Sequence, residues 1–175
     1  MIADEADDVG CLAVAGSRAT PMNVAWTVRR GSGALRVAML PERGRAPAIP
    51  AASGTSTGAS AGTSTGVSAP DLARIIALLA GPAAGAGDFT RPGQVVVEYA
   101  SPGGVLTRPR PAEAVVDLLR IAALPRVGVL CALGVRHDTT AFCATNGIAR
   151  ICIQDLVVFR EVTERSAVGR RPRGI

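Results

Sequence analysis

The sequence contains no lysine, and His137 is its only histidine. All 19 basic residues are therefore arginines, and the net charge is +5. A basic charge balance can indicate nucleic-acid binding, but these arginines are scattered and aromatic residues make up only 3% of the chain. Because bases stack on aromatic side chains, we expect no nucleic-acid partner. The surplus of arginine instead indicates a composition biased towards Arg, Ala, Gly and Pro.

Long hydrophobic runs are also missing. Apolar runs such as IIALLA at 75–80 are far shorter than the ~20 residues that cross a bilayer. No charged segment precedes an apolar stretch at the start of the sequence, as it would in a secretory signal. We therefore expect no membrane partner and a cytoplasmic location.

Cysteines with the spacing of metal ligands are absent as well. The four cysteines are Cys11, Cys131, Cys143 and Cys152, and no two of them form a CxxC pair. A structural zinc site needs about four ligands at short paired spacings. We therefore expect no metal site of this kind and four free thiols.

Hydrophobic residues form 48% of the 175 residues, which is enough for one core. We predict a single domain over residues 1–165. Within it, a Ser/Thr/Gly/Ala-rich segment at about 46–66 contains a near-repeat, GTSTGASA followed by GTSTGVSA, and is predicted to be flexible. Residues 166–175 form a basic tail that we predict to be disordered.

Strand and helix patterns alternate along the rest of the chain, which indicates an α/β or α+β domain. Strand patterns cover 9–15, 34–40, 94–100, 127–133 and 148–153. Helix patterns cover 20–30, 68–81, 111–124, 139–147 and 154–166. The acidic start, MIADEADD, is predicted to be irregular.

The segment GGVLTR at 103–108, predicted to be a turn and a short strand, has the composition of an anion-binding loop. Glycines let backbone N–H groups approach an anion, Thr107 adds a hydroxyl, and the guanidinium of Arg108 can bind phosphate oxygens with two parallel hydrogen bonds. The alternative is a tight turn with a surface arginine.

Several segments, taken in order, carry a specific resemblance. They are TVRRGSG at 27–33, TSTGVSAPD at 63–71, DFTRPGQV at 88–95, GGVLTR at 103–108, AEAVVDLLRIAAL at 112–124, VGVLC at 127–131 and IQDLVVFR at 153–160. Their order and spacing resemble the 3,4-dihydroxy-2-butanone 4-phosphate synthases, lyases of riboflavin biosynthesis that act on ribulose 5-phosphate. The resemblance covers nearly the whole chain.

The resemblance implies an α+β fold with a mixed sheet packed with helices, and a homodimer with its active sites at the interface. It also implies a reaction that removes one carbon of ribulose 5-phosphate as formate. The family holds a divalent metal, usually magnesium, with a Glu and a His, and uses further carboxylates and a second His for acid–base chemistry.

This sequence departs from the family at most of those positions. The family's acidic loop, R-E-N-E-G-D, matches ADDVGC at 6–11, so the metal-binding Glu becomes Asp7 and a substrate-binding Asp becomes Cys11. The catalytic His of P-G-H becomes Gln94. The metal-binding His of R-G-G-H-T-E-A becomes Pro111, and the Glu of C-E becomes Ala132. The chain also begins just before the acidic loop, so we expect the family's first helix and strand to be missing.

These losses predict a pseudoenzyme that no longer performs the parent lyase reaction. We expect no cofactor, because the family's His ligand is replaced by Pro111 and Asp7 alone cannot replace a Glu–His pair as a magnesium site. Magnesium binding stays open if a partner residue from elsewhere completes the site. Arg108, Thr107 and Arg110 are the candidate residues for binding a phosphorylated small molecule.

Other interpretations stay open. In a repurposed enzyme of a specialised biosynthetic pathway, Cys11 would be a nucleophile or weak acid and Asp7 a second catalytic group; otherwise Cys11 is a small buried side chain. The chain could also be a still active lyase, a plain binding module or a scaffold. His137 is either a functional base or an ordinary surface residue.

Overall fold

The computed structural model describes residues 1–4, 9–45, 68–82, 95–134 and 138–169. The segment 46–66, which we predict to be flexible, lies outside these ranges. So do Asp7, Gln94 and His137.

Strands and helices alternate through the described ranges. The strands are β1 (Ile2–Asp4), β2 (Val9–Ala15), β3 (Leu35–Met39), β4 (Val96–Tyr99), β5 (Val127–Ala132) and β6 (Ile151–Cys152). The helices are α1 (Pro21–Arg30), α2 (Pro41–Arg45), α3 (Ala69–Ala80), α4 (Pro111–Ile121), α5 (Thr139–Asn146) and α6 (Ile153–Gly169). None of the helices in these ranges has the length and apolar composition needed to cross a bilayer.

Local sequence signals fix several helix ends. Thr20 caps α1 by accepting a hydrogen bond from the Asn23 N–H, and the Asn23 side chain accepts one from the Thr20 N–H in return. Ser68 caps α3 by accepting a hydrogen bond from the N–H of Asp71. The end of α5 is set by Gly147, whose φ of +63° is the left-handed conformation that glycine adopts without strain.

The six strands form one mixed sheet in the order β4-β3-β5-β2-β1-β6. The pairs β3–β4 and β1–β6 are parallel, and the other described pairs are antiparallel. Helices α1 and α3 cover one face, where Val24, Ile76 and Val129 are fully buried. Helices α4 and α6 cover the opposite face, which we call the α4 face. The α+β fold with a mixed sheet is confirmed.

Four details differ from the sequence-based predictions. The irregular start contains β1, which pairs with β2 through Ile2 and Cys11, so a strand does precede the acidic stretch. GGVLTR forms a 3-10 helix at Gly104–Leu106 instead of a short strand. The last strand has only two residues. Helix α6 continues to Gly169, into the predicted tail, and residues 170–175 lie outside the described ranges.

Candidate functional site

Two buried carboxylates of α4 hold the loop at residues 101–108. Oε1 of Glu113 accepts a 2.8 Å hydrogen bond from the N–H of Ser101. Oδ2 of Asp117 accepts a 2.9 Å hydrogen bond from the N–H of Val105. The two acids are one helical turn apart and therefore share one side of α4. Glu113 is 0% and Asp117 4% exposed, so both act from inside the protein.

Gly104 allows the loop to pack closely against the Asp117 carboxylate. Gly104 has φ +65°, and a Cβ there would collide with the Asp117 carboxylate. Its N–H bonds to the carbonyl of Ser101, and its own carbonyl accepts hydrogen bonds from the N–H groups of Thr107 and Arg108. Because these N–H groups bond within the protein, they are not directed at an anion. The tight-turn interpretation of GGVLTR therefore describes its backbone.

Part of the Arg108 guanidinium is bound by protein groups, and the rest is exposed to solvent. Its Nε donates a 2.7 Å hydrogen bond to Oε1 of Glu113, and its Nη2 lies 2.5 Å from the same oxygen. Nη2 also donates to the carbonyl of Tyr99 at 3.0 Å. The side chain is 50% exposed. Glu113 thus orients the guanidinium and neutralises its charge, while part of it still faces solvent.

A cavity of about 430 Å³ opens beside Arg108. Its lining residues are Pro41, Tyr99, Ala100, Ser101, Pro102, Thr107 and Arg108. The structure therefore brings together two of the three predicted binding residues, Thr107 and Arg108. Arg110 is exposed at the N-cap of α4 and does not line this cavity.

A second ion pair fixes α6 to the same loop. Asp117, the carboxylate that holds Val105, pairs with Arg160 of α6. Arg160 also donates a 2.6 Å hydrogen bond from Nη2 to Glu164, and its side chain is only 5% exposed. We did not predict either carboxylate of α4 as part of the site. The sequence did contain a signal for these two carboxylates, because Glu113 and Asp117 occupy core-facing positions of an amphipathic helix.

The residues at the family's metal position do not fit a magnesium site. Pro111 is the first residue of α4, and its side chain has no donor atom for a metal. Within the described ranges, no group of three or more His, Cys, Asp or Glu side chains could hold a metal ion. Asp7, which matches the family's metal-binding Glu, lies outside those ranges. The described residues thus lack the Glu–His pair of the family.

Two other family site positions lie side by side. Cys11 in β2 is directly opposite Ala132 in β5, so both point to the α4 face of the sheet. Cys11 is 1% exposed, and burial raises the pKa of its thiol to about 11. A thiolate is the nucleophilic form of cysteine. This environment favours the alternative in which Cys11 is a small buried side chain.

The raised pKa predicts slow alkylation of Cys11. At pH 8, a pKa of about 11 instead of 9.0 makes the thiolate fraction ~100-fold smaller, and burial slows access further. We expect iodoacetamide to label Cys11 at least ~100-fold more slowly in the folded protein than in guanidinium, as followed by peptide mass spectrometry. The rate should rise with pH up to about 11. Labelling of Cys11 ahead of Cys131, Cys143 and Cys152 at neutral pH would support the nucleophile instead.

The sequence is similar to known riboflavin biosynthesis proteins. The sequence is 38% identical over 194 residues to riboflavin biosynthesis protein RibBA of Salinispora arenicola, covering 94% of this chain and 44% of that protein. It is 37% identical over 190 residues to RibBA of Mycobacterium ulcerans, covering 93% and 43%. The chain thus spans less than half the length of these curated relatives.

Solved structures are similar as well. A 3,4-dihydroxy-2-butanone 4-phosphate synthase in complex with two magnesium ions superimposes with a TM-score of 0.81 and 28% identity, covering 93% of this chain and 90% of that one. The synthase of Candida albicans gives a TM-score of 0.77 at 29% identity, covering 90% and 88%. The sequence model of the 3,4-dihydroxy-2-butanone 4-phosphate synthases matches residues 1–159. The chain therefore belongs to the 3,4-dihydroxy-2-butanone 4-phosphate synthase family.

Proposed function

We propose that this member of the family binds a phosphorylated small molecule without carrying out the lyase reaction on ribulose 5-phosphate. The observation that carries the proposal is Pro111 at the first position of α4, where the family has its metal-binding His. The proline ring fixes the backbone for helix initiation. It leaves this end of the site without a side-chain ligand for magnesium.

The groups that the family uses for proton transfer are replaced as well. Moving protons between carbons of a sugar phosphate requires several acids and bases placed around it. The family's carboxylates are replaced by Cys11 and Ala132, and its second His by Gln94. An amide does not exchange a proton near neutral pH, Ala132 has no polar side-chain atom, and the Cys11 thiol is buried and protonated.

The cavity beside Arg108 supports the binding part of the proposal. Thr107 offers a hydroxyl group, and the exposed part of the Arg108 guanidinium offers N–H donors. Both groups suit phosphate oxygens. Arg110 adds positive charge two residues further on. Because Glu113 already neutralises Arg108, we expect millimolar rather than micromolar affinity for a simple phosphate.

Thermal unfolding with added ligand tests the binding. With a dissociation constant of about 1 mM, ligand at about 10 mM stabilises the fold by ~1.4 kcal/mol, which raises Tm by about 3–5 °C. We expect this shift with ribulose 5-phosphate and a smaller one with inorganic phosphate. The matched control is the double variant Arg108→Met/Glu113→Gln, which removes both charges together and should lose the shift. An unchanged shift in this variant would place the ligand elsewhere.

The parent lyase is the second candidate function. The 38% identity to RibBA of Salinispora arenicola favours it. It would require Asp7 and another side chain outside the described ranges to hold the metal that Pro111 cannot bind. Formate release separates this candidate from the first.

A further inference from the structure

The α4 face of the sheet carries a charged pair that the loop at 101–108 does not use. Nη1 of Arg36 in β3 lies 2.9 Å from Oε2 of Glu98 in β4. Their side chains are 38% and 31% exposed, whereas their neighbours on this face, Ala38 and Leu130, are 0% exposed. The pair is therefore a solvent-accessible, charged position on a face where the other acidic residue of the sheet, Asp4 of β1, is buried.

The sheet register places this pair beside the rewritten family positions. Arg36 is opposite Leu130 of β5, and Leu130 and Ala132 are two residues apart, so they share a face. Ala132 is opposite Cys11. Burial is the main cause of the raised pKa of Cys11, but the charge of Arg36 lowers this pKa and that of Glu98 raises it, as expected for neighbouring groups.

Strand β4 connects the pair to the cavity beside Arg108. Glu98 is followed by Tyr99 and Ala100, which both line that cavity. The Ala100 N–H bonds to the Met39 carbonyl at 2.9 Å, so the extended pairing of β3 and β4 continues through Ala100. Two residues of a strand span about 7 Å. Glu98 is thus this far along the strand from Ala100 in the cavity wall, which is within the reach of a short phosphorylated polyol.

The pair has unused hydrogen-bonding capacity. Oε2 of Glu98 is buried and makes no hydrogen bond within the described part of the chain, although it is close to Arg36. Because this oxygen is buried against Arg36, only the exposed parts of the two side chains can contact another molecule.

We propose that Arg36 and Glu98 select the unphosphorylated end of the ligand, a hydroxyl-bearing carbon chain whose phosphate lies at Arg108. Ligand oxygens accept hydrogen bonds from the Arg36 guanidinium, and ligand hydroxyl groups donate to the Glu98 carboxylate. Recognition by this pair requires no metal ion. The inference rests on the proposed binding of a phosphorylated molecule and adds the residues that choose its other end.

Calorimetric titration tests the inference, with ribulose 5-phosphate and inorganic phosphate as probes. The variant Arg36→Gln/Glu98→Gln removes both charges together and leaves no unpaired charge. We expect its affinity for ribulose 5-phosphate to fall about tenfold, the effect of losing one or two hydrogen bonds to charged groups, with less than about twofold change for phosphate. The control Glu161→Gln/Arg165→Gln removes an exposed pair of α6 and should change neither affinity.

The outcomes separate the inference from the proposed function. Wild-type affinity for ribulose 5-phosphate in the Arg36→Gln/Glu98→Gln variant overturns the inference while phosphate binding stands. Equal affinity of the wild type for phosphate and ribulose 5-phosphate also overturns it, because no group then recognises the carbon chain. If neither ribulose 5-phosphate nor phosphate binds, both the inference and the proposed function are overturned. A circular dichroism spectrum and Tm close to those of the wild type show that the variant is folded.

Discussion

Replacing Asp117 with alanine is expected to destabilise the protein by about 3–5 kcal/mol, because the buried Arg160 loses its buried partner and keeps only the half-exposed Glu164. Arg160 of α6 is 4% exposed and pairs with Asp117 of the neighbouring helix α4. The substitution also removes the acceptor of the Val105 N–H, which holds the loop at 101–108. Urea unfolding measures the free energy, and Tm should fall by roughly 10 °C.

Two matched variants make this result interpretable. Glu161→Ala removes an exposed carboxylate of α6 whose partner, Arg165, is 81% exposed, so the change in stability should stay within about 0.5 kcal/mol. Asp117→Leu/Arg160→Met replaces both buried charges by apolar groups and should recover the part of the loss that comes from Arg160, while the Val105 N–H stays without its acceptor. If Asp117→Ala were as stable as Glu161→Ala, the buried pair would not hold α6 and the loop together.

Replacing Arg108 with methionine is expected to destabilise the fold by about 2–4 kcal/mol, because Glu113 is fully buried and would lose both donors of the guanidinium. Half of the Arg108 side chain faces solvent, so water can partly replace it and the loss should be smaller than for Asp117→Ala. Urea unfolding again gives the free energy.

A second substitution separates the structural role of Arg108 from ligand binding. Glu113→Gln in the Arg108→Met background removes the unpaired charge and keeps an acceptor for the Ser101 N–H, so most of the stability should return. Binding of ribulose 5-phosphate should not return. If both stability and ribulose 5-phosphate binding returned, Arg108 would contribute only to the stability of the fold.

Most secondary structure was predictable because its causes are local. The capping box of α1 needs only Thr20 and Asn23, and the end of α5 needs only Gly147. The 3-10 helix at Gly104–Leu106 was not predictable in this way. It is held by Asp117, twelve residues after Val105, and that contact exists only after α4 packs against the loop.

The residues of the candidate site were predictable from the sequence, but their burial and ion pairing were not. The resemblance identified Arg108, Pro111, Cys11 and Ala132. The pattern could not show that Glu113 neutralises Arg108, because this depends on the burial of one side of α4. Nor could it show that Arg36 and Glu98 meet, because the register between β3 and β4 follows from the folded sheet. Strand pairing of this kind joins residues that are distant in sequence.

Formate release from ribulose 5-phosphate in the presence of magnesium tests the central claim most directly. The full chain is incubated with the substrate, and formate is measured with formate dehydrogenase beside a family member that retains the metal-binding Glu and His. We predict a rate roughly 10⁴-fold or more below that enzyme, since several acid–base groups and a metal ligand are replaced. A rate within about tenfold of it, abolished by a chelator, would show that the lyase site survives in this chain and would contradict the account.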